Sequence, residues 1–161
     1  MASVSLEPVA MDALRARAIA RRLHVAEREE DGTPLLPHIA RVAQRVPAGV
    51  RAVAWLHEAL ESATVTEHEL LGGGLSDDEL RALRLLTRTT PSRSARVYLA
   101  HVELIARAAG RSGHLARTVK IADLEDRCLH PRVGADGWSP PYLLALRRLE
   151  EAQARGAHAH V

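Results

Sequence analysis

Apolar residues recur three and four positions apart through most of the chain, and nowhere do they alternate with polar residues for long. The segment Met11–Glu29, for example, places Leu14, Ala18, Ile19 and Leu23 at helical spacing. Runs rich in Val, Ile and Thr with a period of two, which would predict strands, do not occur. With two Trp, two Tyr and no Phe, the core must consist of Leu, Ala and Val, which suits closely packed helices. We therefore predict an all-α fold.

The length of the chain predicts its domain organisation. A chain of 161 residues is long enough to bury one core. We predict one compact multi-helix domain over residues 1–155 and a disordered tail over residues 156–161. No apolar run is long enough to cross a membrane. The N-terminus lacks a basic-then-apolar pattern, and Cys128 is the one cysteine, so we expect a cytoplasmic protein.

The charge pattern disfavours nucleic acid as a partner. The chain carries 22 basic and 20 acidic residues, for a net charge of +2. Arginines are interspersed with acids along the predicted helices, and aromatic residues that could stack on bases are scarce. Lys120 is the one lysine. Either it persists by chance, or a compact ammonium group is needed at that position.

The ten residues Val53–Ser62, V-A-W-L-H-E-A-L-E-S, combine three polar side chains with an apolar helical pattern. A helix over 50–62 would turn His57, Glu58 and Glu61 towards one sector, because residues three or four apart share a face. Such a group could hold a divalent metal beside an acid–base residue. An amphipathic helix with one polar edge has the same pattern. The spacing differs from that of zinc proteases, because Glu61 stands where their second histidine ligand belongs.

Two more polar residues stand out in apolar or helix-start positions. His38 directly follows Pro37, which predicts a helix starting at His38. His38 is then either a surface or capping residue or a missing metal ligand. Asp123 lies three residues from both Lys120 and Asp126 in a largely apolar stretch. It either reaches a buried site or lies on a solvated helix edge.

Four segments occur in order along the chain: D-G-T-P-L-L-P-H (Asp31–His38), V-A-W-L-H-E-A-L-E-S (Val53–Ser62), L-T-R (Leu86–Arg88) and V-K-I-A-D-L-E-D-R (Val119–Arg127). This series resembles the HD superfamily of metal-dependent phosphohydrolases, and in particular small bacterial proteins similar to the (p)ppGpp hydrolase domain of stringent-response enzymes. That branch shows D-G-x-P-Y-x-x-H-P, L-L-H-D-x-x-E-D and V-K-L-A-D-x-x-x-N. The resemblance runs from about Ala18 to Pro131. It implies a helical HD-type domain that hydrolyses a nucleotide or another phosphoester.

The resemblance also implies roles for individual residues. The implied metal ligands are His38, His57, Glu58 and Asp123. This donor set suits Mn²⁺ best, with Fe²⁺ and Zn²⁺ as alternatives, and a metal there would activate water for attack on phosphorus. Glu61 matches the family acid that positions or deprotonates that water, and Lys120 matches the family lysine, so we expect both to be catalytic. The residues expected to contact the substrate are Arg28, Arg127 and Tyr98.

Several residues depart from the family pattern. Glu58 replaces the eponymous Asp, and its additional methylene moves the carboxylate. Ser62 replaces the second acid of the E-D pair, and Arg127 replaces the final Asn. Glu29 and Glu30 stand where the alarmone hydrolases carry basic residues, and acids there should repel a pyrophosphate. These departures favour an alternative function, that of a catalytically degenerate HD-fold protein which binds a ligand or partner.

Overall fold

A computed structural model of the chain describes residues 9–90 and 92–158. Within these residues the regular structure consists of α-helices and two short 3₁₀ turns, so the predicted all-α fold is confirmed. The helices are α1 (Ala13–His24), α2 (Leu35–Arg45), α3 (Arg51–Leu56), α4 (Glu67–Gly72), α5 (Asp77–Leu86), α6 (Ala95–Arg107), α7 (Gly110–Leu129) and α8 (Tyr142–His158). The 3₁₀ turns are Ala48–Val50 and Ala59–Glu61. In the described ranges, no helix has both the length and the apolar character needed to span a membrane.

Helix α7 lies at the centre of the fold. It packs against α2, α5, α6 and α8, while α1 and α2 pack on α3. The core around it contains small and branched side chains such as Ala54, Leu56, Leu83, Val119 and Leu124, all fully or almost fully buried. Because these side chains are short, the helices can approach closely without any Phe in the core.

The helix predicted over 50–62 is wrong in its extent. Helix α3 ends at Leu56, and the chain continues through a tighter 3₁₀ turn at residues 59–61. The side chain of His57 donates to the carbonyl oxygen of Ala54 at 2.6 Å, the acceptor that the N–H of Glu58 would use in a continuing α-helix. The polar residues of this segment therefore lie at a helix end rather than along one helical face.

Helix α2 begins at Leu35, not at His38. Pro34 is the N-cap, and Pro37 is tolerated in the first turn because its missing N–H would have no partner inside the helix. His38 is consequently within the helix and fully buried, with 0% of its surface exposed. The interpretation of His38 as a surface or capping residue is wrong.

The last helix extends to His158. Residues 156–158, which were expected to belong to a disordered tail, are therefore part of α8. The rest of that segment, residues 159–161, lies outside the described residues.

Gly113 allows the first turn of α7 to approach the end of α6. A Cβ atom at Gly113 would lie 2.1 Å from the carbonyl oxygen of Ala108, whereas a Cβ atom at Gly156 in α8 would meet nothing within 4 Å. We expect Gly113→Ala to lower the free energy of unfolding by about 1–3 kcal/mol. Gly156→Ala should raise it by up to about 1 kcal/mol, because alanine is the better helix former. Urea unfolding followed by circular dichroism measures both, and equal stability of the two variants would contradict the close approach.

Candidate metal centre

A cavity of about 750 Å³ opens beside the C-terminal ends of α3 and α5, the C-terminal half of α7 and the loop before α2. The predicted site residues that line it are Arg28, His57, Glu58, Glu61, Tyr98, Lys120, Asp123 and Arg127. His38 is not part of the lining, but it is in direct contact with Asp123. The fold therefore brings residues that are far apart in the sequence to one place.

His38, His57 and Glu58 form a compact group beside the cavity, which His57 and Glu58 line. One ligand atom from each of the three lies within 4.8 Å of the other two. The two imidazole rings are 5.7 Å apart between centroids, at an interplanar angle of 70°. Glu58 Oε1 is 3.6 Å from His57 Nε2. In the part of the chain that the structure describes, this is the one group of three with the spacing of a metal site.

Both imidazoles are held through their Nδ1 atoms. His57 Nδ1 donates to the Ala54 carbonyl at 2.6 Å, and His38 Nδ1 donates to Asp126 Oδ2 at 2.7 Å. The two Nε2 atoms are buried and make no hydrogen bond of acceptable geometry within residues 9–90 and 92–158. Metal-ligating histidines are oriented in this way, and buried polar atoms normally have a partner. The two imidazoles and the carboxylate therefore fit a divalent transition metal.

The pKa values of the two histidines shift in opposite directions. Burial lowers the pKa of His57, although the charges of Glu58 and Asp123 act to raise it. Burial also acts to lower the pKa of His38, but its contacts with the carboxylates of Asp123 and Asp126 outweigh burial, and the pKa is raised. A metal ligated by His38 Nε2 would have to replace the proton there.

Asp123, the fourth predicted ligand, is not one of the group of three. It is buried, and its Oδ2 pairs with Lys120 Nζ at 2.6 Å. Its Oδ1 lies 2.8 Å from Arg127 Nε and 3.1 Å from His38 Nε2. Burial acts to raise the pKa of Asp123, but Lys120 and Arg127 hold it well below its usual range. In this arrangement both carboxylate oxygens already face cations.

Arg127 connects three carboxylates at the wall of the cavity. Besides Asp123, its guanidinium lies 3.5 Å from Glu58 Oε1 and 3.4 Å from Glu29 Oε2. Glu29 also pairs with Arg132. The negative charge of Glu29, which was expected to repel a pyrophosphate, is therefore balanced by two arginines.

The two predicted catalytic residues, Glu61 and Lys120, line the cavity from different elements. Glu61 ends the second 3₁₀ turn, and its Oε1 accepts from the backbone N–H of Arg88 at 3.4 Å. Glu61 is exposed, but the cavity wall removes part of its carboxylate from solvent. This partial burial and the like charge of Glu58 raise the pKa of Glu61. Burial opposes the charge of Lys120, yet pairing with Asp123 outweighs it and raises the pKa of the ammonium group.

The remaining two predicted substrate residues face the cavity from separate elements. Arg28 is exposed and donates to the carbonyl of Gly32 at 3.0 Å, and it pairs with no carboxylate in the described part of the chain. Tyr98, on α6, is buried, and its hydroxyl has no partner among the described residues. The cations of Arg88 and Lys120 lie 5.9 and 5.8 Å from its ring centroid. This part of the cavity therefore combines an aromatic wall with positive charge.

Asp126 and Arg41 were missed as site residues. Asp126 is completely buried and accepts from Arg41 Nε at 2.7 Å as well as from His38. The signal was present in the spacing, because Arg41 follows His38 by three residues and Asp126 follows Asp123 by three. Trp138 and Tyr142 also line the cavity, but no spacing rule relates them to the other site residues.

Comparisons with known proteins give no match: neither a protein-family model nor a curated protein matches this chain.

Asp126 allows a test of the support behind His38. We expect Asp126→Asn to lower the free energy of unfolding by about 1–3 kcal/mol, because two charge-assisted hydrogen bonds are weakened inside the protein. The matched control is Glu125→Gln, whose side chain is 41% exposed and whose carboxylate lies 3.8 Å from Arg45; it should change stability by less than about 0.5 kcal/mol. Urea unfolding compares the two, and an equal effect would show that Asp126 does not anchor α2 to α7.

Proposed function

We propose that this protein is a metal-dependent phosphohydrolase, similar to the HD superfamily, that acts on a nucleotide or another small phosphoester. The observation that carries the proposal is that His38, His57 and Glu58 each offer one ligand atom within 4.8 Å of the other two, beside the cavity that His57 and Glu58 line. The Nε2 atoms of both histidines are buried, and neither makes a hydrogen bond of acceptable geometry in the described residues, although His38 Nε2 lies 3.1 Å from Asp123 Oδ1. The opposite nitrogen of each ring is anchored.

His38, His57 and Glu58 would hold the cation, with Asp123 as the fourth ligand that the HD resemblance implies. When bound, a divalent ion such as Mn²⁺ supplies Lewis-acid activation of water and of the phosphoryl group. Asp123 could join only after giving up part of its pairing with Lys120 and Arg127.

Glu61 is the proposed general base. Its carboxylate lies at the cavity wall close enough to Glu58 for their charges to interact, and its raised pKa makes it a better proton acceptor than an ordinary glutamate. Lys120 keeps its charge through the pair with Asp123 and presents it to the cavity beside Tyr98. A fixed positive charge there would stabilise negative charge that develops on the phosphoryl oxygens.

Arg28 is the proposed phosphate-binding residue at the entrance. It is exposed on the cavity wall without a competing carboxylate in the described chain, and a guanidinium can bind phosphate through two hydrogen bonds. Glu29 and Glu30 would weaken phosphate binding less than their charge suggests, since Glu29 pairs with Arg127 and Arg132 and Glu30 lies 3.6 Å from Arg93.

One observation favours the second candidate function, a catalytically degenerate HD-fold protein that binds a ligand or partner. The guanidinium of Arg127 already contacts both Glu58 and Asp123. If this contact persists in solution, the carboxylates have a resident cation and the cavity serves to bind an anionic ligand without turnover. Metal content separates the two functions.

The first test is elemental analysis of protein purified without a chelator or an added histidine tag. We expect about one Mn, Fe or Zn per chain in the wild type, and loss of that metal in His57→Ala, because half of the imidazole ligation is removed. The matched control is His68→Ala, an exposed histidine of α4, which should keep its metal. A wild type that stays metal-free after addition of Mn²⁺ would exclude the hydrolase and leave the binding function.

A second test separates catalysis from metal binding. With Mn²⁺ and a panel of nucleotides and p-nitrophenyl phosphoesters, Glu61→Gln should lower kcat by about 10²–10⁴-fold, the usual contribution of a general base. Its metal content should equal that of the wild type, because Glu61 is not one of the three converging residues. Unchanged kcat in Glu61→Gln would remove Glu61 from the mechanism.

A further inference from the structure

The guanidinium of Arg127 has two sets of partners. One set consists of proposed metal ligands: Asp123 Oδ1 at 2.8 Å and Glu58 Oε1 at 3.5 Å. The other set is Glu29, with Oε2 at 3.4 Å, and the ring of Tyr142, whose centroid is 5.8 Å from Arg127 Cζ. Neither Glu29 nor Tyr142 belongs to the proposed ligand set.

The contacts with the first set place a fixed positive charge against the carboxylates that a divalent cation would use. A guanidinium is always charged near neutral pH and binds carboxylate oxygens strongly. Its side chain is only 13% exposed, so solvent screens it weakly. Glu58 and Asp123 therefore cannot face Arg127 and a metal ion with equal strength at the same time.

We propose that Arg127 sets the metal affinity of this centre, because its guanidinium competes directly with a divalent cation for Glu58 and Asp123. This inference rests on the metal centre of the proposed function. Metal binding then requires Arg127 to give up these two carboxylates. The released guanidinium keeps Glu29 and the face of Tyr142 as partners, so it remains paired and buried.

Direct competition differs from a general effect of positive charge. Arg132 also pairs with Glu29 and is 12% exposed on its side chain, but it makes no ion pair with Glu58 or Asp123 among the described residues. Removing Arg132 therefore changes the local charge by the same amount and leaves the competing contacts in place. A lysine at position 127 keeps the charge but loses the planar fork that reaches several carboxylates at once.

The experiment is a Mn²⁺ titration in which free Mn²⁺ is measured by electron paramagnetic resonance. It compares the wild type with Arg127→Gln, Arg127→Lys and Arg132→Gln, and thermal unfolding first establishes that each variant is folded. We expect Arg127→Gln to lower the Kd for Mn²⁺ by at least about tenfold, because a directly opposed cation is removed. Arg127→Lys should lower the Kd by at least about threefold, and Arg132→Gln by less than either.

Each outcome decides between the two proposals in a different way. Equal Kd values for Mn²⁺ in all four proteins would overturn competition by Arg127 and leave the metal centre standing. The same conclusion would follow if Arg132→Gln had the Kd of Arg127→Gln while Arg127→Lys had the Kd of the wild type, because the effect would then depend on charge alone. If the wild type binds no Mn²⁺ but Arg127→Gln does, the competition is supported and the proposed hydrolase fails. If no variant binds Mn²⁺, both are overturned.

Discussion

The arrangement of the site depends on two buried carboxylates on α7. Asp126 accepts from His38 and Arg41, both on α2, and Asp123 meets His38 on the other side of the same ring. Burying an unpaired carboxylate costs several kcal/mol after relaxation, so α2 can pack on α7 only in a position that supplies these partners. That position determines where His38 Nε2 points. The position of α2 on α7 therefore determines both how these two helices pack and how His38 is oriented in the site.

The second imidazole is placed by the end of a helix rather than by its face. The side chain of His57 donates a hydrogen bond to the carbonyl oxygen of Ala54, and α3 ends at Leu56. The chain then turns so that Glu58 and Glu61 line the cavity. This turn can lie close to α7 because the surrounding core is made of alanine and branched aliphatic side chains, without any Phe. The sparse aromatic content thus has a structural consequence: helix ends from distant parts of the chain approach closely enough for their polar side chains to meet.

Helical periodicity was enough to predict the all-α class, and motif order was enough to select the polar residues that the fold brings to one cavity. Their roles in metal binding and catalysis stay predictions. The sequence could not indicate that α3 ends at Leu56. The helix ends where the side chain of His57 bonds to the carbonyl of Ala54, and helix propensities of single residues do not include such a contact. The contact between Arg127 and Glu58 spans 69 positions of sequence, so local spacing could not reveal it. Asp126 could have been found, since it lies one helical turn beyond Asp123.

Arg127 also bears on how Glu58 and Asp123 can both lie in the protein interior, because it contacts both. Glu58 and Asp123 would repel each other in a low-dielectric environment if they faced no cation. Burial acts to raise the pKa of both acids. Lys120 and Arg127 nevertheless hold the pKa of Asp123 well below its usual value, and the nearby His57 and Arg127 lower the pKa of Glu58. The protein can then fold with these two carboxylates ionised, unlike small domains whose folding requires a metal. Under the proposed function, metal binding is an exchange of one cation for another. Its free energy is therefore the difference between metal ligation and the arginine contacts that are lost.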